Sequence, residues 1–187
     1  MKRLFHALSA VSLLLLSCHC LYAQREDEGS VRRIEAGGLF SPKGSGFTMF
    51  IPMKDGGAGE IRFMADFESV LIDHEARPGT RVQLLRHFVL KEIKAAEDLS
   101  IHIIGGPGIS AGLVRDHGKE AGYLMALSLG GGADLQFKSV PISVFAGLSA
   151  DIGAHLVIRN RYDNTMTFYQ NGWCRAWYPE LSVKYRF

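Results

Sequence analysis

The sequence ends on a period-two alternation that runs to its last residue. Leu181, Val183, Tyr185 and Phe187 are apolar, while Glu180, Ser182, Lys184 and Arg186 between them are polar. Successive side chains of a strand point to opposite faces, so this stretch is a strand with one apolar and one polar side. Chain ends usually fray into water. A terminus that is alternating and aromatic to the last position belongs in a sheet that uses its final strand.

The same alternation recurs upstream. From Ile142 to Ile158 it is unbroken: Ile142, Val144, Ala146, Leu148, Ala150, Ile152, Ala154, Leu156 and Ile158 stand against Ser143, Gly147, Ser149, Asp151, Gly153 and His155. Before it, Tyr123, Met125, Leu127, Leu129, Leu135 and Phe137 alternate with the small or polar Gly122, Ala126, Ser128, Gly130, Gly132, Asp134 and Gln136. Ile101, Ile103, Ile109, Ala111 and Leu113 oppose Ser100, His102, Gly106, Gly108, Ser110 and Gly112. Shorter runs begin at Val31, Phe47, Glu60 and Arg81. Arg86 interrupts the last of these, and residues 91–98 (Lys-Glu-Ile-Lys-Ala-Ala-Glu-Asp) have helical propensity. Either a strand end or a short helical turn fits there.

Turn chemistry separates these runs. Gly, Pro, Asp and Ser cluster at 41–46, 54–59, 74–79, 116–119 and 138–141. Residues 159–176 lose the alternation and read as one long loop. The count is eight strands, which makes the expected fold all-β: an eight-stranded antiparallel up-and-down transmembrane β-barrel over residues 31–187. With both ends on one side, 159–176 falls on the opposite side. Phe40, Phe47, Tyr123 and Trp177 then collect at the far edge, and Phe63, Phe137, Tyr185 and Phe187 at the edge near the termini, as two aromatic girdles.

Alternation alone does not say which face is inside. Side-chain size does. If the apolar face pointed inward, the exterior would be the face carrying Gly122, Ala126, Ser128, Gly130 and Gly132, whereas soluble exteriors are rich in charge and glycine weakens strands. Small residues fit the inside of an eight-stranded barrel, which is just wide enough for side chains. The apolar face is therefore expected outside, against lipid.

The N-terminus agrees with export. Lys2 and Arg3 precede an apolar run from Ala10 to Leu16, and Leu21-Tyr22-Ala23 ends in a small residue before Gln24. Residues 1–23 read as a cleaved signal peptide, too short to span a bilayer, and 24–30 as a short polar arm. A minority reading is lipidation at Cys18, from Leu15-Leu16-Ser17-Cys18. Without the signal, Lys plus Arg falls from 21 to 19, equal to the 19 Asp plus Glu. A neutral chain of this kind has no nucleic-acid footprint. Only Cys174 remains, so no internal disulfide is expected.

With its signal, its eight alternating runs and the terminal Leu181-x-Val183-x-Tyr185-x-Phe187, the sequence resembles the small eight-stranded outer-membrane β-barrel proteins, the OmpA-membrane-domain and OmpX type. The resemblance covers about residues 31–187. It implies residence in the bacterial outer membrane, contact with outer-membrane lipid, and recognition of Leu181, Val183, Tyr185 and Phe187 by the barrel-assembly machinery. The resemblance says almost nothing about activity within the class; the reading adopted is a monomer without cofactor or metal, in a structural or surface-interaction role.

The expected lumen face carries Glu35, Arg62, Asp66, Glu68, Arg81, His87, Lys91, Asp134, Asp151, His155, Glu180, Lys184 and Arg186. Buried charges must be paired, so these are expected to form a salt-bridged plug; a small pore is the alternative. A lipid-modifying acyl hydrolase or transferase is the other alternative. Asp151 and His155 are four residues apart on one strand, about 13 Å at the usual rise, too far for a direct pair. Small barrels that hydrolyse lipid A acyl chains carry a His-x-Ser-Asn pattern, whereas His155 is followed by Leu156 and Val157. No enzyme is expected. In 159–176, Tyr162, Phe168, Tyr169, Trp173 and Arg175 form a candidate surface-binding loop.

Overall fold

A computed structural model of the protein describes residues 33–187 apart from 43, 55, 67–78, 116–120, 161–162 and 172–177. The signal peptide, the arm, Glu68, Tyr162, Trp173, Arg175 and Trp177 lie outside the described residues. Nine strands follow in order: β1 Glu35–Ser41, β2 Gly44–Pro52, β3 Ala58–Asp66, β4 Gly79–Ala96, β5 Leu99–Arg115, β6 Ala121–Phe137, β7 Ile142–Asn160, β8 Asp163–Asn171 and β9 Tyr178–Arg186. Every pairing is antiparallel, and each strand from β1 to β7 pairs with the next.

Closure comes from the last two strands. β7 pairs with β8 along its second half, from Asp151↔Asn171, and with β9 along its first half, up to Ser149↔Tyr178. β9 also pairs with β1. Thus β8 and β9 occupy a single position in the wall, separated by residues 172–177. The nine strands make a closed eight-stranded barrel. Glu35 and Arg186 are paired at one end, here called the terminal end; the Ser41–Gly44 hairpin marks the far end.

The wall is uneven. β1, β2 and β3 have seven, nine and nine residues, whereas β4 to β7 have 17 to 19. The register explains where the extra length goes. β3 begins at Ala58, opposite His87, so β4 beyond His87 pairs with β5 alone. The turn beneath β3 is held by Met53 N–H to Gly57 O (3.0 Å) and Gly56 N–H to Met53 O (3.2 Å). Gly56 adopts φ 82°, a conformation glycine enters without penalty.

The open choice at 91–98 is settled first, and several expectations are then corrected. Residues 91–96 are strand, with bulges at Val89/Lys91 and Lys94/Ala96. Cross-strand hydrogen bonds from β5 override the local helical propensity. The bulge also turns Lys91 out, so it is exposed and no part of the lumen. The turn at 41–46 is shorter than expected, because Ser41 is paired in β1 and Gly44 to Gly46 in β2. The long loop 159–176 is mostly sheet. β7 continues to Asn160, and Asp163–Asn171 pairs back along it, so Phe168 and Tyr169 are strand residues. Met166 and Phe168 alternate outward there, a short signal hidden by the flanking Arg and Asn. Phe63 stands opposite Phe47, in the far half of β3, and not with the aromatics of the terminal end.

The polarity of the two faces is the reverse of a soluble domain. Phe47, Tyr123, Met125, Leu127, Ile152, Met166, Phe168, Val183 and Tyr185 are exposed on the outside. Arg62, Glu60, Asp151, His155 and Lys184 are buried inside.

Candidate functional site

The lumen is the site with chemistry in it. Period-two geometry aims alternate residues of each strand inward, and the inward set here carries most of the chain's buried charge. Ten predicted lumen residues, Glu35, Arg62, Asp66, Arg81, His87, Asp134, Asp151, His155, Glu180 and Lys184, are buried. Arg186 is half-buried at the terminal end.

The middle of the lumen holds one continuous network. Arg62 from β3 places Nε 2.7 Å from Glu60 Oε1 and Nη1 2.7 Å from Glu180 Oε2. Its Nη1 also donates to Gln83 Oε1 at 3.1 Å. Gln83 then donates Nε2–H to Asp151 Oδ1 at 3.1 Å. Asp151 is the hub of the upper part: Arg81 Nη1 lies 2.6 Å from Oδ2, while Ser128 donates to Oδ1 at 2.6 Å and Ser110 at 3.4 Å. Thr48 donates to Glu60, Ser149 to Glu180, and His87 Nε2–H to Glu60 Oε2 at 2.6 Å. Residues from β2, β3, β4, β5, β6, β7 and β9 are thereby cross-linked. Two arginines, three carboxylates and His87 carry this network, so each acid lies within reach of a cationic or neutral donor.

A layer of rings separates this network from the terminal end. Phe50 stacks on His87 with centroids 5.4 Å apart, and Phe145 tilts against both at 6.4 and 6.3 Å. Ile104 completes a buried apolar cluster with Phe50 and Phe145. Below it a second ionic group forms. Lys184 Nζ lies 2.8 Å from both Glu35 Oε2 and Asp134 Oδ1, and 3.6 Å from the centre of the Phe50 ring. Ser143 donates to Glu35 and Gln136 to Asp134, each at 2.8 Å.

The small lumen residues have specific neighbours. A Cβ on Gly122 would lie 2.9 Å from His155 Nε2, and one on Gly130 would lie 3.3 Å from Leu85 Cδ1. Large residues on β4 and β7 thus fill the volume that glycine on β6 leaves.

Asp151 and His155 do not meet. Asp151 is held by Arg81, Gln83 and the serines, while His155 Nε2 bonds the Val114 carbonyl at 3.0 Å. Among the described residues no three His, Cys, Asp or Glu side chains converge as a metal site. Glu60, Gln83 and Thr48, all nearly inaccessible, are members of the network that the candidate set omitted, although Glu60 falls on the polar phase of its run. The ring layer was also missed. Its signal is phase: Phe50, Ile104 and Phe145 are large apolar residues at positions where their strands are otherwise small or polar.

Comparison of the sequence with protein-family models and with curated proteins finds no match. Among solved structures the fold is similar to the N-terminal β-barrel domain of Pseudomonas aeruginosa OprF. The TM-score is 0.45 at 15% identity, covering 83% of this chain and 96% of that one. The strand pairing itself decides the architecture. It is a closed eight-stranded antiparallel barrel.

Proposed function

We propose that the protein is an integral outer-membrane β-barrel with a plugged lumen, acting as a structural or surface-interaction element without catalysis. One observation carries this reading: the barrel is apolar outside and charged inside. Phe47, Met125, Met166 and Phe168 are each more than 60% exposed, while Arg62 is 0% exposed. Soluble monomers rarely expose apolar patches beyond a few hundred Å², and a whole barrel wall of them calls for lipid. β2, β3 and β9, at nine residues, have the length of a strand tilted through a bilayer. A closed barrel satisfies every ladder in hydrocarbon, where an unpaired backbone group costs several kcal/mol.

On this reading the terminal end faces the periplasm and the β7–β8 hairpin faces the cell exterior. The terminal residues Leu181 to Phe187 serve as the mark read by the barrel-assembly machinery, and the protein is a monomer in outer-membrane lipid. The linked charges of the lumen support a plug. Folded protein is expected in the outer-membrane fraction, migrating faster in detergent gels before boiling than after. Recovery as a soluble periplasmic protein would overturn the membrane reading, and stable single-channel steps in planar bilayers would overturn the plug.

A further inference from the structure

Below the ring layer the terminal end of the lumen contains a cavity of about 140 Å³ that neither ionic group fills. Its base is apolar, made by Phe50, Ala58, Val89 and Ile104. His87 also lines it. Only 1% exposed, His87 has its Nε2 committed to Glu60, while its buried Nδ1 has no hydrogen-bond partner.

The rim is ionic. The carboxylates of Glu35 and Asp134 line it, and both are occupied by Lys184, Ser143 and Gln136. Arg33 and Arg186 line it too. Together with Lys184 they make three cations against two acids. Arg186 has unused donors: its Nε stands 3.4 Å from Glu35 Oε1, and its Nη2 is buried without a hydrogen-bond partner. A guanidinium presents a planar fork of donors matched to a carboxylate. A buried polar group left unpaired is costly, so a small turn of this side chain toward a ligand would satisfy donors that have no partner.

We propose that this cavity binds a small aromatic monocarboxylate. The carboxylate pairs with Arg186 and Arg33 at the rim, and the ring lies against Phe50, Val89 and Ile104. Size limits the ligand to one ring, since a protein cavity of about 150 Å³ accommodates benzene. The net positive rim selects an anion over an amine. The proposal stands apart from the membrane reading: binding requires only the folded barrel, and the membrane reading sets merely which compartment the mouth faces.

The test uses the full-length protein in detergent, with calorimetry and ¹³C-methyl NMR of Ile104 and Val89, and with benzoate, benzylamine and benzyl alcohol as probes. Saturable one-to-one binding of benzoate is expected, with a Kd of about 1 mM or tighter and shifts at the Ile104 and Val89 methyls. Benzylamine should bind at least about tenfold more weakly, a factor worth about 1.4 kcal/mol. Arg186→Met should weaken benzoate by a similar factor and leave benzyl alcohol unchanged, and Ile104→Phe should abolish binding by filling the base. Failure of wild-type protein to give saturable heat or methyl shifts with benzoate would mean that the cavity holds only water, and would overturn the proposal. So would equal binding of benzylamine, or benzoate affinity indifferent to Ile104→Phe in folded protein. If that variant does not fold, the methyl shifts of the wild type and Arg33→Gln decide. A barrel found soluble in the periplasm would remove the membrane reading and leave this assay intact.

Discussion

The middle of the lumen and its terminal end are built from the same kinds of residue and differ in how completely they are closed. In the middle, Arg62, Arg81, Glu60, Glu180 and Asp151 are joined into one network with Gln83, Thr48 and three serines, and glycines on β6 admit the large side chains opposite. At the terminal end, Lys184 alone bridges Glu35 and Asp134, and a cavity lies beside it. The comparison teaches that a polar core is filled where charged groups are linked through shared neutral partners into one network, and keeps a cavity where its ionic group stands apart near an opening.

Mutations that remove one charge from each region sharpen this difference. Arg62→Met strands Glu60 and Glu180 without their common cation. Breaking a buried pair costs about 3–5 kcal/mol, and a loss of about 4 kcal/mol in chemical unfolding is expected. Lys184→Met likewise leaves Glu35 and Asp134 facing one another, but near the mouth, where water and Arg186 relieve them. The expected loss is about 2 kcal/mol, below the usual range for a sealed pair. Equal losses in the two variants would erase the distinction.

Adding volume tests the same contrast. Gly130→Val forces a side chain against Leu85, and overpacking of this kind costs about 1–2 kcal/mol. Ile104→Phe at the terminal end enters space already empty and should cost less than Gly130→Val in the same unfolding measurement. The smallest effect is expected on the outer wall. Arg86 lies with its guanidinium carbon 5.3 Å from the centre of the Phe88 ring, and Arg86→Ala should change stability by about 0.5–1 kcal/mol. A larger change would mean that the exterior helps to hold the barrel closed.

Much of the lumen was legible because period-two alternation assigns a face to each residue before any pairing is known. That is why Arg62, Arg81, Asp151 and Lys184 could be placed together. Lys91 failed because a single bulge inverts the phase downstream of it, and bulges leave no mark in composition. Phe168 and Tyr169 have the sequence signature of a loop because Arg and Asn flank them, yet the ladder along β7 supplies the hydrogen bonds that make them strand. Phe50 and Phe145 were overlooked because an apolar residue on a polar face looks like noise until its neighbours across the lumen are known.

By itself the sequence determined the class of structure: strands, their number around the wall, and which side of each is apolar, since these follow from local alternation and side-chain size. Only the tertiary structure decided which charge meets which. Arg62 reaches Glu180 across 118 positions of sequence, and such contacts depend on register and closure, which are properties of the whole sheet. The split of the last wall position into β8 and β9, the ring layer and the cavity beneath it have the same origin. Each depends on which strands the closed sheet brings side by side, and no single strand carries that information.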